Sequence, residues 1–93
     1  MTTVIKRGGR KQDFDASKIR KSVRCAARDA GIPLFHRCGL VMQVANPVIR
    51  ACRKRKTISS SAIKKMVLSR LQRKSKDAAA AWRKYESRHR RKR

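Results

Sequence analysis

Acidic residues are scarce in this chain: five Asp and Glu stand against 28 Lys and Arg, giving a net charge of +23 over 93 residues. Such an excess repels itself and draws anionic partners, whether nucleotide, nucleic acid or an acidic protein. Counterion release alone supplies affinity wherever several phosphates are neutralised. The charge is spread along the chain rather than gathered in a tail. Residues 1–33 carry nine basic and three acidic groups, 34–56 six and none, 57–87 eight and two, and 88–93 five and none, so +18 of the +23 stays when the last six residues are set aside.

Other shortages narrow the field. Four aromatics, Phe14, Phe35, Trp82 and Tyr85, leave little for base stacking, which disfavours stacking-type recognition of single strands relative to contact with a duplex backbone. Cys25, Cys38 and Cys52 are odd in number, widely spaced and without a C-x-x-C pair, and only His36 and His89 could join them. That argues against a structural metal or a disulfide framework, and the cysteines read as small apolar residues on buried helix faces. Cys38 and His36, two apart on a helix, face different directions and make no catalytic pair. No apolar run approaches the roughly 20 residues of a membrane span and no signal-peptide core opens the chain, so a cytoplasmic protein is expected. Ninety-three residues make one small domain with a thin core.

The most informative stretch is Val4 to Ile19, VIKRGGRKQDFDASKI. Val4 and Ile5 are β-formers, Gly8-Gly9 reads as a two-residue turn able to take positive φ, and Phe14 ends a short returning strand. Asp15 reads as an N-cap, its carboxylate accepting from the backbone of Ser17 and Lys18, and Ile19 starts an apolar helical stripe. Lys6, Arg7, Arg10 and Lys18 are therefore expected near one strand-to-helix junction, where cations would gather phosphate.

Beyond the hairpin, helical spacing of Ile19, Val23, Ala26, Ala27 and Ala30 predicts a helix from about Ala16 to Ala30, ended by Gly31. Ile32-Pro33 then makes a connector. Leu34, Cys38, Val41, Met42, Ala45, Val48, Ile49 and Cys52 predict a second, central helix, kinked rather than divided at Pro47. Arg53-Lys54-Arg55-Lys56 closes it, cations that complement the helix dipole and could also meet phosphates or an acidic partner. Thr57-Ile58 reads as a short third strand, and Ser59-Ser60-Ser61 offers caps for a helix bearing Ile63, Met66, Val67 and Leu71. Asp77 is expected to open the last helix, with Ala78 to Ala81, Trp82 and Tyr85 on its packing side. Residues 1–87 form the domain, and 88–93 a mobile basic tail.

The Val4 to Ile19 segment resembles the opening of the ATP-cone, the regulatory domain of ribonucleotide reductases and of their bacterial repressor, whose pattern is roughly Val-x-Lys-Arg-Asp-Gly-x-x-x-x-Phe-Asp-x-x-Lys-Ile. Val4, Lys6, Arg7, Gly9, Phe14, Asp15, Lys18 and Ile19 match without a gap. Gly8 replaces the usual Asp, and Gln12 the usual Glu. The resemblance implies an α+β, mainly helical fold: a four-helix bundle capped by a small three-stranded sheet. It also implies an ATP or dATP site without hydrolysis. On matching positions, Lys6, Lys18 and Ser60 would meet the phosphates, with Arg7 beside them, Val4 and Ile5 would lie along the base, and Gln12 and Asp15 would hydrogen-bond the adenine edge. Asp15 carries a conflict, since one carboxylate cannot easily cap a helix and also bind a base. A Mg ion could accompany the nucleotide. Family members fuse this domain to a reductase or a zinc segment, and neither is found here, so output to a protein partner in trans is expected. Nothing resembles a Walker loop, and no enzyme activity is expected. The competing reading is a nucleic-acid-binding protein that uses the same scaffold, with Arg53, Lys54, Arg55, Lys56, Arg88, Arg90, Arg91, Lys92 and Arg93 on backbone phosphate.

Overall fold

The computed structural model describes residues 2–90, with side chains followed through residue 87. Strand β1 (Thr3–Ile5) and β2 (Lys11–Asp13) form the hairpin, followed by α1 (Ala16–Asp29), α2 (Leu34–Arg53), β3 (Thr57–Ser59), α3 (Ser60–Lys74) and α4 (Lys76–Arg90). The fold is the α+β, mainly helical one: four helices and a three-stranded sheet. Its strand order is β2-β1-β3, with β1 antiparallel to β2 and parallel to β3.

Each junction has a local cause. The hairpin loop is longer than the sequence suggests, running through Arg7–Gly9, because the Gly9 N–H donates to the Lys6 carbonyl (3.0 Å) and the Lys6 N–H to the Arg10 carbonyl (2.7 Å). Gly8 (φ 81, ψ 6) and Gly9 (φ 83) both take the positive φ that a Cβ resists. Gly31 (φ 81) ends α1 in a Schellman motif, in which its N–H meets the Arg28 carbonyl and the Ile32 N–H meets the Ala27 carbonyl, both at 3.0 Å. A single residue, Ser75, turns α3 into α4. Its N–H closes α3 on the Leu71 carbonyl (2.8 Å), while its hydroxyl caps α4 by accepting from the Ala78 N–H (3.1 Å). Ser75 thus takes the capping role that Asp77 was expected to hold. Asp77 sits in the first turn, where its charge suits the dipole.

The helices pack in a ring: α1 on α2, α2 on α3, α3 on α4, and α4 back on α1. Val23, Val44, Val48, Ile49, Cys52, Val67 and Leu71 are the largest fully buried side chains at the centre. Ala26, Ala27, Ala78 and Ala79 are also buried, and their small side chains let α1 and α4 approach closely. Trp82 fills the remaining space, and its indole N–H donates to the Ser22 hydroxyl (3.3 Å), which itself donates to the Ile19 carbonyl (2.8 Å). This buried polar pair satisfies itself, so Ser22 sits at a core position without an unpaired group.

Helix α2 continues through Pro47 as one helix, neither divided nor displaced in its apolar phase. Its buried stripe differs from the predicted one. Leu40, Val41, Val44, Ala45, Val48, Ile49 and Cys52 face the core, whereas Leu34, Cys38 and Met42 are exposed. The first half of the helix is apolar nearly all round, so spacing alone did not fix its phase.

The sheet is fastened to the bundle through β1. The Thr2 hydroxyl donates to the Cys52 (3.0 Å) and Arg55 (2.8 Å) carbonyls, and the Thr3 N–H to the Lys56 carbonyl (2.8 Å). The end of α2 is thereby closed by the strand it precedes in space. No helix among the described residues is long and apolar enough to cross a membrane.

Candidate functional site

Strand register sorts the hairpin residues onto two faces. Val4 pairs with Gln12 on one side and Ile58 on the other, and cross-strand partners share a face. Val4 and Ile58 are buried in the core, so this is the helix-facing side. Gln12, half-buried on edge strand β2, is the polar end of that row. Ile5, Lys11 and Ser59 belong to the outer side. Val4 and Ile5 therefore face opposite ways and cannot both lie along one base, a correction that strand alternation requires.

Continuing the register by one residue gives a second row on the helix-facing side. Lys6 stands opposite Arg10, whose carbonyl accepts from the Lys6 N–H (2.7 Å), while Ser60, next after the Ile5–Ser59 pair, already belongs to α3. Two exposed cations thus stand across from each other at the end of the sheet where β3 passes into α3. Ser59, not Ser60, makes the cap, its hydroxyl accepting from the Ala62 N–H (3.1 Å). The half-buried Ser60 hydroxyl stays out of that cap at the positive end of the α3 dipole. Arg10 belongs in this row by position, and Arg7 does not, since it begins the loop. Arg10, already among the cations expected at the hairpin, is set opposite Lys6 by the three-residue loop, whereas a two-residue turn would have set it opposite Arg7.

Lys18 lies elsewhere. It is on the first turn of α1, which leaves the sheet at the Thr3–Asp13 end, opposite to the Lys6 row. Thr2 to Lys6 spans about 13 Å at strand rise, so a ligand touching both lysines would lie along the strand. The cations do not share one junction. The Arg53 to Lys56 loop shares the Lys18 end, since Thr3 pairs with Thr57, and all four of its side chains are exposed.

Asp15 is committed to its helix. Its carboxylate accepts from the Ser17 N–H (3.0 Å) and the Ser17 hydroxyl (2.6 Å). That hydroxyl bond, more than the backbone N–H groups of Ser17 and Lys18 or the nearby Lys18 charge, holds its carboxyl below the ordinary aspartate value. Both Ser17 bonds fall on a single carboxylate oxygen, Oδ1. Asp13 points outward with Thr3, so no carboxylate pair faces the Lys6 row.

Two surface hollows lie away from these rows. One of about 590 Å³ runs between the end of α1 and the start of α4, near Arg28, Asp29, Asp77 and Lys84. The other, of about 250 Å³, separates α3 from α4 beside Lys64, Lys65 and Trp82. Neither includes Lys6, Gln12, Lys18 or Ser60. No cluster of His, Cys, Asp and Glu able to hold a metal occurs among the described residues. The backbone of α4 is helical through Arg90, so the first three residues assigned to a tail begin within it. The side chains of Arg88 and Arg90, and residues Arg91, Lys92 and Arg93 altogether, lie outside the described residues.

The architecture is a β-hairpin with a third, parallel strand, set over a ring of four helices. The family model described as ATP cone domain matches residues 2–93, and the chain belongs to that family. Membership carries a general nucleotide-binding, regulatory role, with ATP or dATP the ligands of the family, rather than a catalytic one. No curated protein matched the sequence.

Proposed function

We propose that this chain binds ATP or dATP without hydrolysing it, on the helix-facing side of its sheet, and passes occupancy to a protein partner in trans. The observation that carries this reading is the Lys6–Arg10 pair at the end of the sheet where β3 leads into Ser60 and α3, with Gln12 two residues beyond Arg10 on β2. Charge-assisted bonds from two cations and a hydroxyl at a helix N-terminus suit a polyphosphate. Gln12, half-buried on edge strand β2, suits the base edge, having both an acceptor and donors. Lys18 reaches the ligand from the α1 end. Hydrolysis is not favoured, because the carboxylates nearest the site are turned outward (Asp13) or spent on a cap (Asp15). A Mg ion, if it accompanies the nucleotide, would be held by the phosphates rather than by protein ligands.

Isothermal titration with ATP, dATP and GTP at moderate salt tests the reading. Saturable binding that prefers adenine, and that Lys6→Ala weakens by tenfold or more, supports it. Equal weak binding of every polyphosphate, falling steeply with salt, overturns it in favour of a plain polyanion surface.

A second reading, nucleic-acid binding, is favoured by one observation. The exposed cations Arg53 to Lys56 are held on a backbone clamped by Thr2 and Thr3, so binding there would cost little ordering. DNA binding measured with and without residues 88–93, and with Arg53 and Arg55 changed to Ala, separates the arm from the loop. Unchanged affinity in either variant removes that segment from the reading.

A further inference from the structure

The N-terminal half of α2 carries an apolar face that no other described residue covers. Leu34, Phe35 and Met42 are 74%, 78% and 56% exposed, and Cys38 is exposed between them. Leu34, Cys38 and Met42 recur at i, i+4 and i+8, and Phe35 stands seven residues before Met42, so all four lie on one side of the helix. Gly39, beside them, leaves the helix backbone open to close approach, since a Cβ there would meet nothing within 4 Å. The Phe35 ring leans on His36, with centroids 4.2 Å apart, and the Arg37 guanidinium is turned away to donate to the Ile32 carbonyl (2.8 Å). In a chain with 28 cations, this stripe is free of charge at its centre. A contiguous exposed apolar face rimmed by polar residues marks a contact surface.

Charge decides what fits it. No Asp or Glu occurs between Asp29 and Asp77, so α2 and everything adjoining it in sequence offers only cations. Arg53 is eleven residues beyond Met42, three helical turns along the same line, and Arg50 stands beside it. Pairing two copies through this face would bring two chains of +23 together without a carboxylate to offset them.

We propose that the Leu34–Met42 face of α2 docks an amphipathic helix of a partner protein, apolar over two turns and acidic beyond, whose carboxylates meet Arg50 and Arg53. The partner's apolar side chains seat against Phe35 and Met42, with the partner helix passing close over the Gly39 backbone. The docking stands apart from nucleotide binding and needs no residue of the sheet.

The test uses a fluorescent synthetic helix of about 18 residues, ~27 Å long, with leucines at helical spacing in its first half and glutamates in its second. A scrambled peptide of the same composition is the control, and anisotropy is read at ~0.15 M salt. Saturable binding is expected, weakened at least tenfold in Phe35→Ser/Met42→Ser and in Gly39→Lys, a change that improves helix propensity and leaves the fold intact. The scrambled peptide should bind no better to wild type than the helix binds to these variants. Equal binding by the variants, or by the scrambled peptide, reduces the face to general charge attraction and overturns the proposal. So does a wild-type dimer, seen by sedimentation, that Phe35→Ser/Met42→Ser returns to monomer, because the face would then belong to a second copy.

Discussion

Lys6 and Asp15 show how single side chains divide between ligand and fold. Lys6 is exposed at the end of a register row and makes no contact that the fold requires, so Lys6→Ala should cost binding and spare stability. A hydrogen bond to a charged group is worth about 1.5–3 kcal/mol, or roughly 10–100-fold in affinity. Calorimetric titration alongside thermal melting reads both. Arg10→Ala should follow Lys6→Ala more closely than Arg7→Ala does, since Arg10 shares the row and Arg7 starts the loop. Asp15 should do the reverse. Its carboxyl titrates below the ordinary aspartate value because the Ser17 hydroxyl bonds the charged form. A depressed folded-state value means that the cap contributes fully above the unfolded value and is lost as pH falls through the lowered one. The melting-temperature gap between wild type and Asp15→Ala should therefore be constant near neutral pH and shrink below about pH 4. A gap that grows on acidification would contradict the cap.

At the scale of elements, helix ends and strand register were legible because single residues decide them. Gly31 announced the end of α1, and the structure adds the paired Schellman bonds that make it stop there. Gly31→Ala forces a left-handed φ on a residue with a Cβ and should destabilise by about 1–2 kcal/mol, measured by denaturant midpoint at unchanged slope. The phase of α2 was less legible. Leu34, Cys38 and Met42 are as apolar as Leu40 and Val44, and which set faces inward depends on where α1 and α3 lie, which spacing does not encode. The same ambiguity separates the cysteines, all expected to be buried. Cys38 is exposed, whereas Cys52 is buried and its thiol is pushed upward by desolvation, only partly offset by the Arg55 charge. Under native conditions a thiol reagent should modify Cys38 quickly and Cys52 only through opening of the fold. Equal rates would place Cys52 at the surface. Among the residues named for the site, Gln12 lies across from Val4 and Lys6 across from Arg10 because strand pairing fixes them. Helix exit and strand alternation send Lys18 and Ile5 elsewhere.

The molecule as a whole combines a thin core with a large charge. Leu71 is fully buried where α3 meets the other helices, and Leu71→Ala should cost about 2–5 kcal/mol, a large share of what a domain of this size commands. The +23 charge gives every polyanion some affinity, so binding alone says little about purpose. What distinguishes a nucleotide site is where binding occurs. Amide chemical-shift mapping with ATP at ~0.15 M salt addresses this most directly. The account predicts saturable shifts concentrated at Val4, Lys6, Arg10, Gln12 and Ser60, with Lys18 included and the Arg53 to Lys56 loop unaffected. Shifts scattered over exposed lysines and arginines on all four helices, reproduced by inorganic tripolyphosphate, would contradict it.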